Sequence, residues 1–169
     1  MLPYSVFLIL DFIGLIAFSI SGAIAGVRKE LDIYGVFLLA TVTAIGGGTI
    51  RDFLIGNVPV TVLVDPWMLV IPLATVVIMF AAGPRVKTNL RSLLVMDAIG
   101  IGMFTISGVS AGLALDIPMH GCLLLGVITS TAGGITRDIL AGEIPLVLRK
   151  DIYASASIAG GLLYWLALV

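Results

Sequence analysis

Six ionisable side chains, Asp11, Arg51, Asp52, Asp97, Arg137 and Asp138, stand inside long apolar stretches of this chain. A charge at the centre of a membrane-spanning helix costs about 2.5–3.5 kcal/mol on insertion scales, so such residues face a bundle interior, water or one another, and they are candidates for function by default. Four aspartates against two arginines leave two net negative charges if all are ionised, which suits a cation better than an anion. Hydroxyls gather beside them: Thr43 and Thr49 near the first Arg-Asp pair, Thr129, Ser130, Thr131 and Thr136 near the second, with Ser21 and Ser107 downstream of Asp11 and Asp97. Two glycine runs, Gly46-Gly47-Gly48 and Gly133-Gly134, precede the two Arg-Asp pairs.

Glycines within a membrane helix serve close packing, and that suffices for Gly14, Gly22, Gly100 and Gly108. Consecutive glycines point further, to a kink that frees backbone carbonyls. Such carbonyls are tolerated only against protein or a water-filled cavity, where they can coordinate a partly dehydrated cation. The expected ion pathway therefore comprises Gly46, Gly47, Gly48, Thr49 and Asp52, then Gly133, Gly134, Thr136 and Asp138, with Ser21 and Ser107. Depth assigns the partners. Asp11 lies about 10 Å into its helix and Arg51 about 8 Å from the same face, at 1.5 Å per residue. Asp11–Arg51 and Asp97–Arg137 are accordingly expected as buried ion pairs. Adjacent Arg51 and Asp52 diverge by about 100° on a helix, so Asp52 and Asp138 are expected to be the less neutralised carboxylates.

The elements that must hold these groups are transmembrane helices. Of 169 residues, 60% are hydrophobic and only 11% charged, far from the roughly 25% charged residues of a soluble domain. Stretches at 4–27, 33–55, 62–82, 92–113, 118–141 and 152–169 are each close to the length a bilayer crossing needs, giving an all-α membrane protein with six spans. Met1-Leu2-Pro3-Tyr4 has no basic residue, so the first stretch reads as a retained span rather than a signal peptide. Tyr34, Trp67 and Tyr153 fall near helix ends and read as interfacial anchors. The lone Cys122 and lone His120 have no ligand-like neighbours and read as packing or helix-end residues.

The chain repeats itself at an offset of 86 residues. Asp11-x-Ile13-Gly14-x-x-x-Phe18-x-Ile20-Ser21-Gly22 falls on Asp97-x-Ile99-Gly100-x-x-x-Phe104-x-Ile106-Ser107-Gly108, and Gly47-Gly48-x-x-Arg51-Asp52 falls on Gly133-Gly134-x-x-Arg137-Asp138. Each unit, 4–82 and 92–169, holds three helices. An odd number places the second copy in the membrane upside down, so the two form an inverted repeat within one membrane domain. Loop charge agrees: Arg28 and Lys29, then Arg85, Lys87 and Arg91, then Arg149 and Lys150 occupy loops one, three and five, while loops two and four have no basic residue. The positive-inside rule puts the odd loops in the cytoplasm and the N-terminus outside. Inverted repeats of this kind are a transporter and channel architecture.

The doubled Gly-Gly-x-x-Arg-Asp motif on the second helix of each unit, with Asp11 and Asp97, resembles the prokaryotic trimeric intracellular cation (TRIC) channels, a bacterial domain also labelled a glycine transporter (UPF0126-like). The resemblance runs over essentially the whole chain. It implies a homotrimer in the plasma membrane, with one hourglass pore per subunit between the repeats. Helices 1, 2, 4 and 5 would line that pore, and helices 2 and 5 would kink at the glycine runs. It also implies permeation by potassium and, less selectively, sodium. Family members carry a seventh helix after the two repeats, and this chain ends at Val169; that helix is expected to follow or to be missing.

No nucleophile–base pair, phosphate loop or metal cluster is visible, so neither an enzyme nor a resident cofactor is expected. A net charge of −1 without a basic cluster gives no nucleic-acid footprint. Partners are therefore alkali cations, lipid and further copies of the chain. The reading is a monovalent cation channel. Its alternative is a secondary transporter of a small zwitterion such as glycine, using the same helices, and a non-transporting scaffold is disfavoured by the buried charges.

Overall fold

The computed structural model describes residues 4–83, 88–149 and 152–168. Pro84, Arg85, Lys87 and Lys150, which contribute to the turn and basic-loop pattern, lie outside these residues, as do Met1 to Pro3. The described residues form eight helices: α1 (Tyr4–Arg28), α2 (Ile33–Leu54), α3 (Thr61–Val64), α4 (Trp67–Ala82), α5 (Leu90–Leu113), α6 (Met119–Leu140), α7 (Leu146–Arg149) and α8 (Ile152–Leu168). Four of them, α1, α2, α5 and α6, are long and apolar enough to cross a membrane.

The third span of the first unit is shorter than the sequence suggests, while that of the second, α8, follows the expected stretch. In the first unit the stretch 62–82 is divided at Asp65-Pro66, because a proline supplies no donor to continue α3 and the Asp65 carboxylate instead accepts the Trp67 N–H at 3.0 Å. The resulting α4 has 16 residues and α8 has 17, or about 24–26 Å at 1.5 Å per residue. Elsewhere the boundaries follow ordinary capping chemistry. Asp32 accepts from Gly35 N at 2.7 Å and Asn89 from Ser92 N at 2.8 Å, opening α2 and α5. The turns after α2 and α6 use left-handed glycines at repeat-related positions, Gly56 (φ 70°) and Gly142 (φ 69°).

Contacts between the units are exchanged by the 86-residue shift. A Cβ on Gly47 would lie 1.9 Å from the Thr129 carbonyl oxygen, and one on Gly133 would lie 2.1 Å from that of Thr43. Gly14 approaches the Phe104 ring as Gly100 approaches that of Phe18. The two rings meet with centroids 5.2 Å apart, tilted by 58°. This reciprocity, in which a meets b′ and a′ meets b, is the contact pattern of a pseudo-two-fold arrangement, and it involves α1 with α5 and α2 with α6. Lipid gives no hydrophobic drive for this packing. Small residues that let backbones close in supply it through dispersion. Large apolar side chains such as Phe53, Leu63 and Leu163 are left exposed on the outer faces.

Candidate functional site

Both Arg-Asp pairs sit in the last turn and a half of a long helix, and each arginine reaches across to the other unit. In α6, Arg137 is fully buried. Its Nε donates to Asp138 Oδ1 at 2.8 Å, and Nη1 donates to Asp97 Oδ1 at 2.5 Å and to Ser21 Oγ at 2.6 Å. Ser21 also donates to Asp97 Oδ1. Tyr153 at the start of α8 donates its phenol to Asp97 Oδ2 at 2.6 Å. In α2, Arg51 donates from Nε and Nη2 to Asp52 Oδ1 at 3.0 and 2.7 Å, and from Nη1 to Ser107 Oγ at 2.7 Å. The swap of Ser21 and Ser107 between the arginines repeats the reciprocal contacts of the glycines.

Three expectations change at this point. First, the adjacent Arg and Asp do pair in both units, because the arginine stem is long enough to swing its fork round a quarter-turn of helix. Second, Asp52 and Asp138 are well satisfied. Asp52 Oδ2 accepts from Thr61 N at 2.9 Å and Thr61 Oγ1 at 2.6 Å, and Asp138 Oδ2 accepts from Leu146 N at 2.8 Å. Each carboxylate thereby takes up an otherwise unpaired N–H in the first turn of the short helix α3 or α7. Third, the expected Asp11–Arg51 ion pair is not formed. Asp11 lies within electrostatic range of Arg51 and Asp52 and within reach of Ser107, yet its Oδ1 is buried with no hydrogen-bond partner. Arg51 has spent its fork on Asp52 and Ser107.

The glycine runs divide by position. Gly47 and Gly133 make the α2–α6 crossing possible, the packing use of glycine, while Gly46 approaches the Gly133 Cα. Gly48 and Gly134 instead lie beside the guanidinium groups of Arg51 and Arg137. Both helices remain α-helical through these runs, so the glycines do not end either helix there. Thr49 and Thr136 return their hydroxyls to the carbonyls of Ile45 and Ala132 at 2.9 and 2.8 Å.

Space is distributed unequally around this framework. At the end where α1 begins and α2 ends, a cavity of about 910 Å³ reaches Asp11, Arg51 and Asp52. At the opposite end a cavity of about 300 Å³, bordered by Arg28, Lys29, Glu143 and Arg149, reaches Asp138. The void beside Asp97 and Arg137, closed by Phe18, Ile101 and Tyr153, is only about 10 Å³, room for about one water at most. Lys29 and Glu143 form an ion pair at the smaller mouth, and the Lys29 hydrogen bond and charge, reinforced by Arg149 and Arg28, hold the Glu143 carboxyl below its usual range.

Tyr153 and Thr61 are the functional contacts the sequence reading missed. Tyr153 was expected at the interface, as Tyr34 and Trp67 are, both well exposed; the available signal was its alignment with Trp67 at the 86-residue offset, within reach of Asp97. Cys122 is buried against Gly112 and His120 is exposed. Among the described residues no three His, Cys, Asp or Glu side chains group as a metal site.

The family model described as Glycine transporter matches residues 8–84 and 94–168. A "UPF0126 membrane protein" of Deinococcus radiodurans is 40% identical over 159 residues, covering 93% of this chain and 74% of the relative. The "UPF0126 inner membrane protein YadS" of Escherichia coli is also 40% identical, over 92% of this chain and 75% of its own. Among solved structures, the TRIC trimeric intracellular cation channel orthologue from Rhodobacter sphaeroides superposes with a TM-score of 0.88 at 38% identity, covering 93% of this chain and 81% of that one. A prokaryotic TRIC channel crystallised in 0.5 M KCl gives 0.91 at 34% identity, over 96% and 84%.

Proposed function

This multi-pass membrane chain belongs to the family described as Glycine transporter, that of the UPF0126 membrane proteins and the prokaryotic TRIC channels, and on that premise we propose that it is a potassium-permeable monovalent cation channel with one pore per subunit. The observation that carries the proposal is the pair of cavities, one from each end, that stop at repeat-related Arg-Asp groups. The pathway runs between the units 4–82 and 92–169. It passes Asp52 and Thr49, Gly46 to Gly48 and Ser107 in one half, then Ser21, Gly133, Gly134, Thr136 and Asp138 in the other. The Asp97–Arg137 cluster closes it in the conformation described. Opening requires α2 and α6 to part near Gly47 and Gly133, where no Cβ resists bending.

The excess of two carboxylates over two guanidinium groups selects for cations. By analogy with the neighbours named as trimeric channels, the working assembly is a homotrimer. The basic odd-numbered loops place the smaller mouth at the cytoplasmic face of the plasma membrane.

A second reading is favoured by the description of the family model: an alternating-access carrier of a zwitterion such as glycine. Two end cavities that do not join are what such a carrier also presents. Purified protein in planar bilayers separates them. Discrete unitary potassium currents are expected. Saturable glycine uptake into liposomes without such currents would replace the channel with the carrier.

A further inference from the structure

The large cavity has the chemistry of a receptor for a greasy cation rather than for an alkali ion alone. Its walls are largely apolar, with Phe12, Leu15, Ile55, Met68 and the ring of Tyr164. Its volume of about 910 Å³ lies within the 300–1,000 Å³ range typical of small-molecule sites. Of the ionisable side chains that line it, Asp11, Asp52 and Asp65 are acidic and Arg51 is basic, a balance of two negative charges when all are ionised. Arg51 and Asp52 answer each other. Asp11 has no ion pair among the described residues, and its Oδ1 is cut off from water without a donor.

The repeat supplies the control. Asp97, the counterpart of Asp11, is met by Arg137, Ser21 and Tyr153, and the void beside it is about 10 Å³. A carboxylate without an ion pair beside an apolar cavity is thus peculiar to this end.

We propose that this cavity is a binding site for hydrophobic organic cations of the quaternary or tertiary ammonium class, with the charge beside Asp11 and the alkyl arms along the apolar wall. A hydrated potassium ion must keep or replace its water shell, which apolar walls do not offer. An alkylammonium head is weakly hydrated and gains from burial of its arms against the apolar lining. Conduction is not needed for this binding. Only the consequence that such a cation blocks current from one side rests on the channel reading.

Calorimetric titration of the purified chain in lipid nanodiscs tests it, with tetrapentylammonium as probe, tetramethylammonium and pentanesulfonate as comparators, and empty nanodiscs subtracted. Tetrapentylammonium is expected to bind at least about tenfold more tightly than tetramethylammonium, through its arms, and pentanesulfonate not to bind. Asp11→Asn is expected to weaken binding by about tenfold or more. Leu115→Lys, an exposed change at the cavity rim, is expected to weaken it in a salt-dependent way and leaves the interior untouched should Asp11→Asn not fold. Equal affinity for the two ammonium ions, or tetrapentylammonium affinity unchanged in either folded variant, overturns the proposal. Absence of current with binding intact would instead count against the channel reading alone.

Discussion

The two Arg-Asp half-sites share a sequence motif and differ in environment. Around Arg137 every formal charge is answered within the protein, and the guanidinium is almost wholly enclosed. Around Arg51 the same motif opens on a large cavity, the arginine side chain keeps 11% of its exposure, and Asp11 stands unpaired. The third helix of each unit differs as well. Where α8 carries Tyr153, Ser157 and Tyr164, the 86-residue offset places Trp67, Ile71 and Ile78 on α4. Tyr153 reaches Asp97, Ser157 joins Thr105 and Ser130 at 2.8 and 2.9 Å, and Tyr164 pairs with Ser110 at 2.7 Å. The second unit is stitched to its third helix by hydrogen bonds, and the first is packed against it by apolar contact. A duplicated motif therefore acquires two environments, one enclosed and one open, which the proposed channel would use as seal and mouth.

The comparison breaks most readily at the arginines. Arg137→Gln leaves Asp97 and Asp138 facing each other in a closed interior and is expected to cost about 3–5 kcal/mol, seen as loss of folded protein in a detergent thermal-unfolding assay. Arg51→Gln, beside a cavity that admits water, is expected to cost clearly less. Equal losses would erase the distinction between seal and mouth.

Next come the glycines of the crossing. Gly47→Ala and Gly133→Ala drive a methyl into a carbonyl on the facing helix and are expected to destabilise by about 1–3 kcal/mol each, whereas Gly48→Ala, with nothing nearer than the Arg51 guanidinium at 3.9 Å, is expected to be nearly neutral. The same unfolding assay ranks them, and a costly Gly48→Ala would place the crossing elsewhere.

Tyr153→Phe removes one donor from Asp97 and is expected to cost about 1–3 kcal/mol, and to raise open probability in bilayer recordings by loosening the seal. Trp67→Phe at the matching position should change neither. The smallest effect belongs to the Lys29–Glu143 pair at the lesser mouth. Because the carboxyl of Glu143 is held below its usual range, the pair persists above the ordinary carboxylate range and is lost as pH falls through the lowered value. Glu143→Gln is expected to alter current modestly at neutral pH and not at all in acid or at high salt. An effect that persists in acid would assign Glu143 another role.

Legibility in the sequence followed periodicity and type. The long spans, the duplicated motif and the residues that approach the axis were readable, because apolar length, turn residues and a constant offset are properties of order along the chain. The partners were not. The pairing of Arg51 with Asp52 turned on how a flexible fork folds back, and the satisfaction of Asp52 and Asp138 turned on where the short helices α3 and α7 begin, neither of which has a period. Tyr153 was hidden because an aromatic near a helix end looks the same whether its hydroxyl faces headgroups or a carboxylate.

The chain alone determined that it must enter lipid, that it is built twice over, and that its interior carries more acid than base, since each of these is a sum or a spacing. Only the tertiary structure decided which carboxylate is left without an ion pair and which half is more enclosed. Those outcomes depend on the directions and reach of side chains converging from four or more helices, and on the different side chains that α4 and α8 present to the same motif.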